Sequence, residues 1–176
     1  MEIFTMDYVQ RARETTVPET WIDSLEDPQD RELLRADLEH ARAYVDAMPW
    51  RTDVVERRFA CGMPGAVSLF LFAFDPPVAD TDSLLWIISG DIPTAHISVD
   101  HATQDPFETF ECYCELMTDW CAAAASGEHD ALARVFPIDL TPSPRNADIL
   151  RQRIDAIRTR ILPMLREGDD WGRCYL

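Results

Sequence analysis

Two successive apolar runs, residues 66–74 and 84–88, constrain the fold of this chain more than any other feature. A strand with one solvated face alternates between apolar and polar residues, whereas both of these runs are apolar at nearly every position. We therefore predict two strands that are buried on both sides. Either helices cover both faces of their sheet, or a second subunit covers one of them.

Two further strands, residues 54–61 and 94–99, flank this pair in the sequence. A Gly-Met-Pro-Gly turn joins the first of them to the run at 66–74, which predicts a β-hairpin. A Gly-Asp-Ile-Pro turn precedes the last strand, which alternates cleanly and should therefore have one polar face. The predicted sheet is mostly antiparallel and has four strands.

Cap and proline signals predict where two long helices begin. Asp27 and Asp105 each precede a proline, so that a carboxylate caps the helix and the proline takes its first position. The first helix should end before Pro49 and the second at Gly127. With helices before and after the sheet, the predicted fold class is α+β.

The last long helix has the most regular apolar stripe in the chain. We expect Asn146 to cap it. Five apolar residues then recur at alternating steps of four and three: Leu150, Ile154, Ile157, Ile161 and Met164. Helices can pair along such stripes, and together with the doubly buried strands this one predicts a homodimer. A helix packed in the core of a monomer shows the same stripe.

We expect a single domain over residues 1–176. Its parts are a helical segment at 1–50, the sheet at 53–100, a second helical segment at 105–166 and a tail at 167–176.

Sequence features that would place the chain in a membrane or an oxidising compartment are missing. No apolar stretch approaches the roughly 20 residues of a membrane span. The first residues have neither the basic nor the apolar region of a signal peptide. The five cysteines lack the spacing of a disulfide framework, so a reduced, cytoplasmic location is expected.

Negative charge is concentrated in the middle of the chain. The formal net charge is −16, and residues 59–133 contain twelve acidic residues but no arginine or lysine. Phosphates of nucleic acids and anionic membranes attract basic residues, so neither is an expected partner. Charge this uneven bears on partners and association rates rather than on fold.

Four acidic residues form one stripe on the helix that follows Asp105. They are spaced by three or four residues: Glu108, Glu111, Glu115 and Asp119. The last long helix has Arg151 and Arg158 beside its apolar stripe. The two helices can therefore pack side by side and pair their charges, or the acidic stripe can face a basic partner protein.

A second candidate site lies around the turn after residue 88. Trp86, Ser89, Asp91 and His96 could line a pocket of a small enzyme or ligand-binding domain. No nucleophile elbow, Walker loop or dinucleotide fingerprint accompanies them. The histidines and cysteines also lack chelating spacing, so we expect no metal and no cofactor.

Residues 86–93 (WIISGDIP) and 113–120 (YCELMTDW) resemble a family of small bacterial proteins of unassigned function. In that family a Trp-x-x-Ser-Gly-Asp-x-Pro strand and turn precede a helix that bears Tyr and Trp. The resemblance covers residues 50–125. It implies no activity, and no catalytic residue is carried over from it.

These features favour an acidic, cytoplasmic protein-binding module without catalysis, of the immunity or antitoxin type. Such a protein would capture a basic partner through its acidic stripe, and electrostatic steering would speed the capture. The alternative is the small enzyme or ligand-binding domain with its pocket near Trp86.

Overall fold

The computed structural model describes residues 2–78 and 83–168, with side chains from residue 8 onward, so most of the predicted tail lies outside it. The strands in the described part are β1 (Val17–Pro18), β2 (Asp53–Met63), β3 (Val67–Asp75), β4 (Leu84–Gly90) and β5 (Ala95–Ser98). The helices there are α1 (Glu2–Glu14), α2 (Pro28–Asp46), α3 (Pro106–Ser126), α4 (His129–Leu132), α5 (Pro144–Ala156) and α6 (Leu162–Glu167). A 3₁₀ turn (Glu19–Ser24) follows β1, and a π turn (Ile157–Ile161) joins α5 to α6.

The α+β class and the antiparallel sheet are confirmed, but the predicted number of strands was too low. In the described residues the sheet has five strands in the chain order β1-β2-β3-β4-β5, and every neighbouring pair is antiparallel. The additional strand, β1, pairs Val17 with Phe59 and Pro18 with Arg58. Two residues are too few to show the alternation of apolar and polar side chains that predicts a strand, so no sequence pattern indicates β1.

Helices of the same chain cover both faces of the sheet. Phe70, Phe72 and Ile87 contact α2 and the 3₁₀ turn, on what we call the α2 face. Leu71 and Trp86 point to the opposite side, the α3 face, where they pack with α1, α3, α5 and α6. The double burial predicted for these strands thus arises from helices within one chain.

Local capping signals are confirmed at two of the three long helices. The Asp27 carboxylate accepts from the amide of Gln29 at 2.7 Å, and Asp105 caps α3 in the same way. The prediction for α5 was wrong, because Ser143 is its cap and accepts from the amide of Asn146 at 3.1 Å. Ser143 precedes Pro144, so α5 begins with the same pattern of a capping residue before a proline.

The predicted apolar stripe of the last helix is correct for Leu150, Ile154, Ile157 and Ile161, which are buried, but not for Met164. Pro163 has no amide hydrogen and cannot donate to the carbonyl of Thr159, and the helix widens just before it. The extra residue in the wider turn shifts the buried side of α6. Met164 is therefore 44% exposed, whereas Leu165 is only 4% exposed.

The buried residues of the apolar stripe pack against the core of their own chain. Leu150, Ile154 and Ile157 belong to the core on the α3 face, where α5 lies against α3. With the sheet also covered by helices of the same chain, both arguments for the homodimer are removed, and the homodimer stays a prediction.

An irregularity in β2 changes which of its side chains face the helices. The register shifts between Val54 and Glu56, so that Val54 lies opposite Phe74 and Arg57 lies opposite Phe72. Val54 and Arg57 therefore share the α2 face, although strict alternation would separate them. Val55, between them, is 62% exposed.

Candidate functional site

An open cavity of about 570 Å³ lies beside the first half of α3. We call it the acidic cleft, and it is lined by Ala102, Thr103, Asp105, Phe107, Glu108, Glu111, Cys112, Glu115 and Arg166. Three of the four acidic residues that the sequence indicated therefore line one cavity. The fourth, Asp119, is exposed further along α3.

The loop between β5 and α3 forms one wall of the acidic cleft, and polar contacts hold it in place. The indole Nε1 of Trp86 donates to the carbonyl of Thr103 at 2.6 Å. The hydroxyl of Thr103 donates to the carbonyl of Ser98, also at 2.6 Å, and the carboxylate of Asp100 accepts from the amide of Ala102 at 2.7 Å. Because these groups are bonded to each other, the wall is formed in the free protein.

The acidic residues differ in whether an arginine neutralises them. Glu111 lies 3.6 Å from Nε of Arg158 and 3.9 Å from a terminal nitrogen of Arg166. Glu108 and Glu115 are exposed and form no ion pair with any residue that the structure describes. The two helices thus pack side by side, and among the described residues Glu111 is the acid of the stripe that pairs with arginines. That the stripe faces a basic partner stays a prediction.

The arginines predicted to pair with the stripe are also divided. Arg158 contacts Glu111, whereas Arg151 pairs with Asp148 on its own helix at 2.6 Å. Among the described residues, Arg166 is the one that supplies a positive charge to the lining of the acidic cleft, and its guanidinium lies over the ring of Phe107 at 4.8 Å. Arg166 and Phe107 could not be recognised from the sequence, because only the folded chain brings α6 against the start of α3.

The pKa of the Cys112 thiol reflects the negative charge of the acidic cleft. Burial raises its pKa, and the nearby carboxylates of Glu115 and Asp100 raise it further. A thiol in this setting stays protonated and is a poor nucleophile at neutral pH. The acidic cleft is therefore suited to attracting cations rather than to thiolate chemistry.

The four residues of the second candidate site do not meet in one cavity. Trp86 is fully buried on the α3 face. Ser89 is also buried but donates to the backbone carbonyl of Asp37 in α2 at 2.6 Å. Asp91 is exposed in the turn after β4 and pairs with Arg153 at 3.1 Å.

His96, the last of the four, lies in an aromatic cluster beside α2. Its Nδ1 is 2.8 Å from the hydroxyl of Tyr44, and the rings of Trp50 and Phe136 contact it edge-on. Burial raises the pKa of Tyr44 to about 12, so this hydroxyl stays protonated. Asp91 lines a separate cavity, of about 240 Å³, together with residues of α5. A catalytic or ligand-binding role for these residues stays a prediction.

Two further features are absent from residues 2–78 and 83–168. No three His, Cys, Asp or Glu side chains of this part come together in a way that could hold a metal ion. None of its helices has both the length and the apolar character needed to cross a bilayer.

Comparisons with protein-family models, curated proteins and solved structures found no match to this chain. The resemblance to small bacterial proteins therefore stays a prediction, and any functional argument depends on the geometry of the chain itself.

Proposed function

We propose that this protein is a binding module without catalysis that holds a basic partner protein in its acidic cleft. The observation that carries the proposal is a preformed cavity whose lining includes two exposed carboxylates, Glu108 and Glu115, without an arginine partner among the described residues. Unpaired carboxylates that lie close together repel each other, and a cationic side chain from a partner would reduce this repulsion.

The contacts of Arg166 supply a template for the partner's side chain. Its guanidinium combines a cation–π contact with Phe107 and an ion-pair distance to Glu111. Arginine stacks on aromatic rings and forms bidentate hydrogen bonds with carboxylates, which lysine cannot do. A partner arginine entering beside Arg166 would find the same ring and the remaining carboxylates, Glu108 and Glu115.

The net charge of −16 supports rapid capture of such a partner. Opposite charges steer two proteins together and raise the association rate by about 10- to 1000-fold at low salt. Charges at the surface are screened over about 8 Å at physiological ionic strength, so the association rate should fall steeply as salt is added. This behaviour fits a cytoplasmic immunity or antitoxin protein that must neutralise a basic effector quickly.

A pair of charge-reversal variants tests the proposal. Basic proteins are captured from a host lysate at low salt, and the kinetics of the recovered complex are measured for the native chain. The test variant is Glu108→Arg with Glu115→Arg. The control is Glu26→Arg with Glu32→Arg, which changes the net charge equally at exposed positions away from the acidic cleft.

We expect the test variant to slow association by at least about tenfold beyond the control, with a smaller effect on dissociation. Equal effects of the two variants would mean that overall charge, and not the acidic cleft, governs binding. Recovery of no basic protein by the native chain would remove the proposal's support and return the enzyme hypothesis to first place.

A further inference from the structure

Arg166 is held in the acidic cleft by weak contacts between exposed groups. Its guanidinium lies over the ring of Phe107 at 4.8 Å and comes only within 3.9 Å of Glu111, which is beyond hydrogen-bond distance. The side chain of Arg166 is 54% exposed, and that of Glu111 is 44% exposed. Cation–π contacts and ion pairs at such exposed positions are individually weak. The guanidinium can therefore leave the ring without disturbing the core.

The backbone that carries Arg166 is fixed independently of its guanidinium. Leu162 and Leu165 anchor α6, since they are only 1% and 4% exposed and belong to the core on the α3 face. Glu111 also has a second basic neighbour, with Nε of Arg158 at 3.6 Å. Rotation of the Arg166 side chain thus leaves α6 in place and leaves Glu111 with one of its two arginines.

Phe107 supplies the aromatic surface among the described residues that line the acidic cleft. Its side chain is only partly buried, and it packs against the core on the α3 face. An arginine of a partner would need this ring for a cation–π contact, but the guanidinium of Arg166 already lies over it. Two guanidinium groups repel each other at close range because both are positively charged. The two arginines therefore compete for one position.

We propose that Arg166 is a built-in competitor, which the arginine of a basic partner displaces from the ring of Phe107. This inference rests on the function proposed above, since it concerns the regulation of the same cleft. While Arg166 covers the ring, the apparent affinity for the partner is reduced to the fraction of molecules in which the ring is open. The incoming arginine restores the cation–π contact and also lies near Glu108 and Glu115, which form no ion pair with a described residue.

Exchange of one guanidinium for another makes the acidic cleft selective for arginine. The ammonium group of a lysine is compact and strongly hydrated, and it does not stack on an aromatic ring as a planar guanidinium does. A lysine would therefore leave Arg166 on its ring and gain only the attraction of the exposed carboxylates. The net charge of −16, by contrast, attracts both kinds of basic side chain.

Nuclear magnetic resonance of the full chain, uniformly labelled with ¹⁵N, measures this exchange. N-acetylarginine amide is titrated while sodium chloride is reduced to hold the ionic strength constant. Protons above an aromatic ring resonate upfield, so the Nε–H signal of Arg166 should move downfield, in a saturable way, as the probe takes its place. Phe107→Leu gives the position of this signal without the ring. N-acetyllysine amide, titrated in the same way, should leave the signal near its starting position.

Variants that each remove one positive charge separate competition from general electrostatics. The backbone amide signals of α3 report the affinity for N-acetylarginine amide. Arg166→Gln should raise this affinity by at least about threefold, because the ring is then open in every molecule. Arg158→Gln removes the other arginine at Glu111 but leaves the ring covered, and Arg160→Gln removes an exposed arginine of the π turn. Both controls should raise the affinity by less than about 1.5-fold, because the effect of one exposed charge is screened.

The titrations distinguish failure of the competition from failure of the proposed function. The competition is overturned if Arg166→Gln binds the probe no more tightly than Arg160→Gln, or if the probe binds without moving the signal of Arg166. It is also overturned if the native chain captures a basic protein but neither it nor Arg166→Gln binds the probe. The function proposed for the acidic cleft stands in these cases. Binding of neither the probe nor a basic protein would overturn both.

A second substitution guards against loss of the fold. The thermal transition of Arg166→Gln shows whether the variant is folded. If it is not, Arg166→Met replaces it, because methionine keeps most of the aliphatic stem and removes the guanidinium. The same threefold gain over Arg160→Gln is then expected, and its absence would overturn the competition.

Discussion

The two faces of the sheet use charge in opposite ways. On the α2 face charged side chains are drawn into the structure, as shown by the buried carboxylate of Asp37 and by Glu19 between two arginines. On the α3 face the buried polar contacts come from neutral groups, such as the indole of Trp86 and the hydroxyl of Tyr113. The charges there lie at the surface along the acidic cleft, apart from the partly buried pair of Arg58 and Glu56 beside α1.

This difference shows why net charge alone does not locate a functional surface. A charge that is buried or paired has its partners within the fold, and removing a partner destabilises the protein. A charge that is exposed and unpaired contributes little to stability and is free for a partner. By this criterion Glu108 and Glu115 are candidates for binding, and Asp37 is a structural group.

The largest effects should come from placing a charge in the core of either face. Phe72→Asp and Leu71→Asp each bury an unpaired carboxylate, one on the α2 face and one on the α3 face. Each should lower the free energy of unfolding by about 3 kcal/mol or more. Val55→Asp in the adjacent strand should change it by about 0.5 kcal/mol or less, because that side chain is exposed.

Urea unfolding of the three variants measures these differences. If only one of the two core variants were destabilised, the two faces would not be equivalent cores, and the double burial of β3 would need revision.

Structural features that depend on residues close together in the sequence could be predicted. The apolar runs of β3 and β4 and the caps at Asp27 and Asp105 are local patterns, and each appears in the structure as expected. The buried position of Leu165 could not be predicted in this way, since the π turn before Pro163 adds a residue to the helical period.

Sites formed by distant segments were only half predictable. The acidic stripe follows from helical spacing, whereas its cavity depends on Arg166 and on the loop around Thr103, which the fold brings to α3. The contact of the Arg57 guanidinium with the ring of Phe72 could not be predicted from the sequence. It depends on the irregularity in β2 that turns Arg57 toward Phe72, and such bulges have no simple sequence pattern.

Asp37 should give the next largest effect. Its carboxylate accepts from the hydroxyl of Ser68 at 2.6 Å and from the amide of Gly65 at 2.9 Å. Asp37→Ala leaves both buried donors without an acceptor and should cost about 1–3 kcal/mol of unfolding free energy. Asp37→Asn keeps an oxygen for them and should cost clearly less.

The pH dependence of these variants has a definite sign. Burial raises the pKa of Asp37 above its ordinary value of 3.8, and this outweighs the opposing effects of Ser68 and Gly65. The stability gained from its protonated form is complete below pH 3.8 and is lost as the pH rises through the folded-state pKa. The native chain should thus lose stability relative to Asp37→Asn as the pH rises above the ordinary pKa of the carboxyl. The opposite trend would mean that the hydrogen bonds dominate and favour the charged form.

A smaller difference is expected between two tyrosine hydroxyls. The hydroxyl of Tyr113 is buried on the α3 face and donates to the carbonyl of Pro93 at 2.8 Å, so Tyr113→Phe should cost about 1 kcal/mol. Tyr44→Phe breaks the contact with His96 on the opposite face, where both side chains are only partly buried. Its cost should be lower, because water can replace the lost partner. Thermal unfolding of both variants measures the order, and a larger loss for Tyr44→Phe would reverse the ranking.

The smallest effects should separate paired from unpaired acids along the acidic cleft. Glu111→Gln removes the contacts with Arg158 and Arg166 and should cost about 0.2–1 kcal/mol, as exposed ion pairs do. Glu115→Gln removes no ion pair and should leave stability unchanged or slightly improved, because it relieves repulsion between neighbouring acids. Urea unfolding at low and high salt is the measurement, and the loss in Glu111→Gln should shrink as salt screens the pair. Equal costs for the two variants at low salt would contradict the division of these acids into a paired Glu111 and an unpaired Glu115.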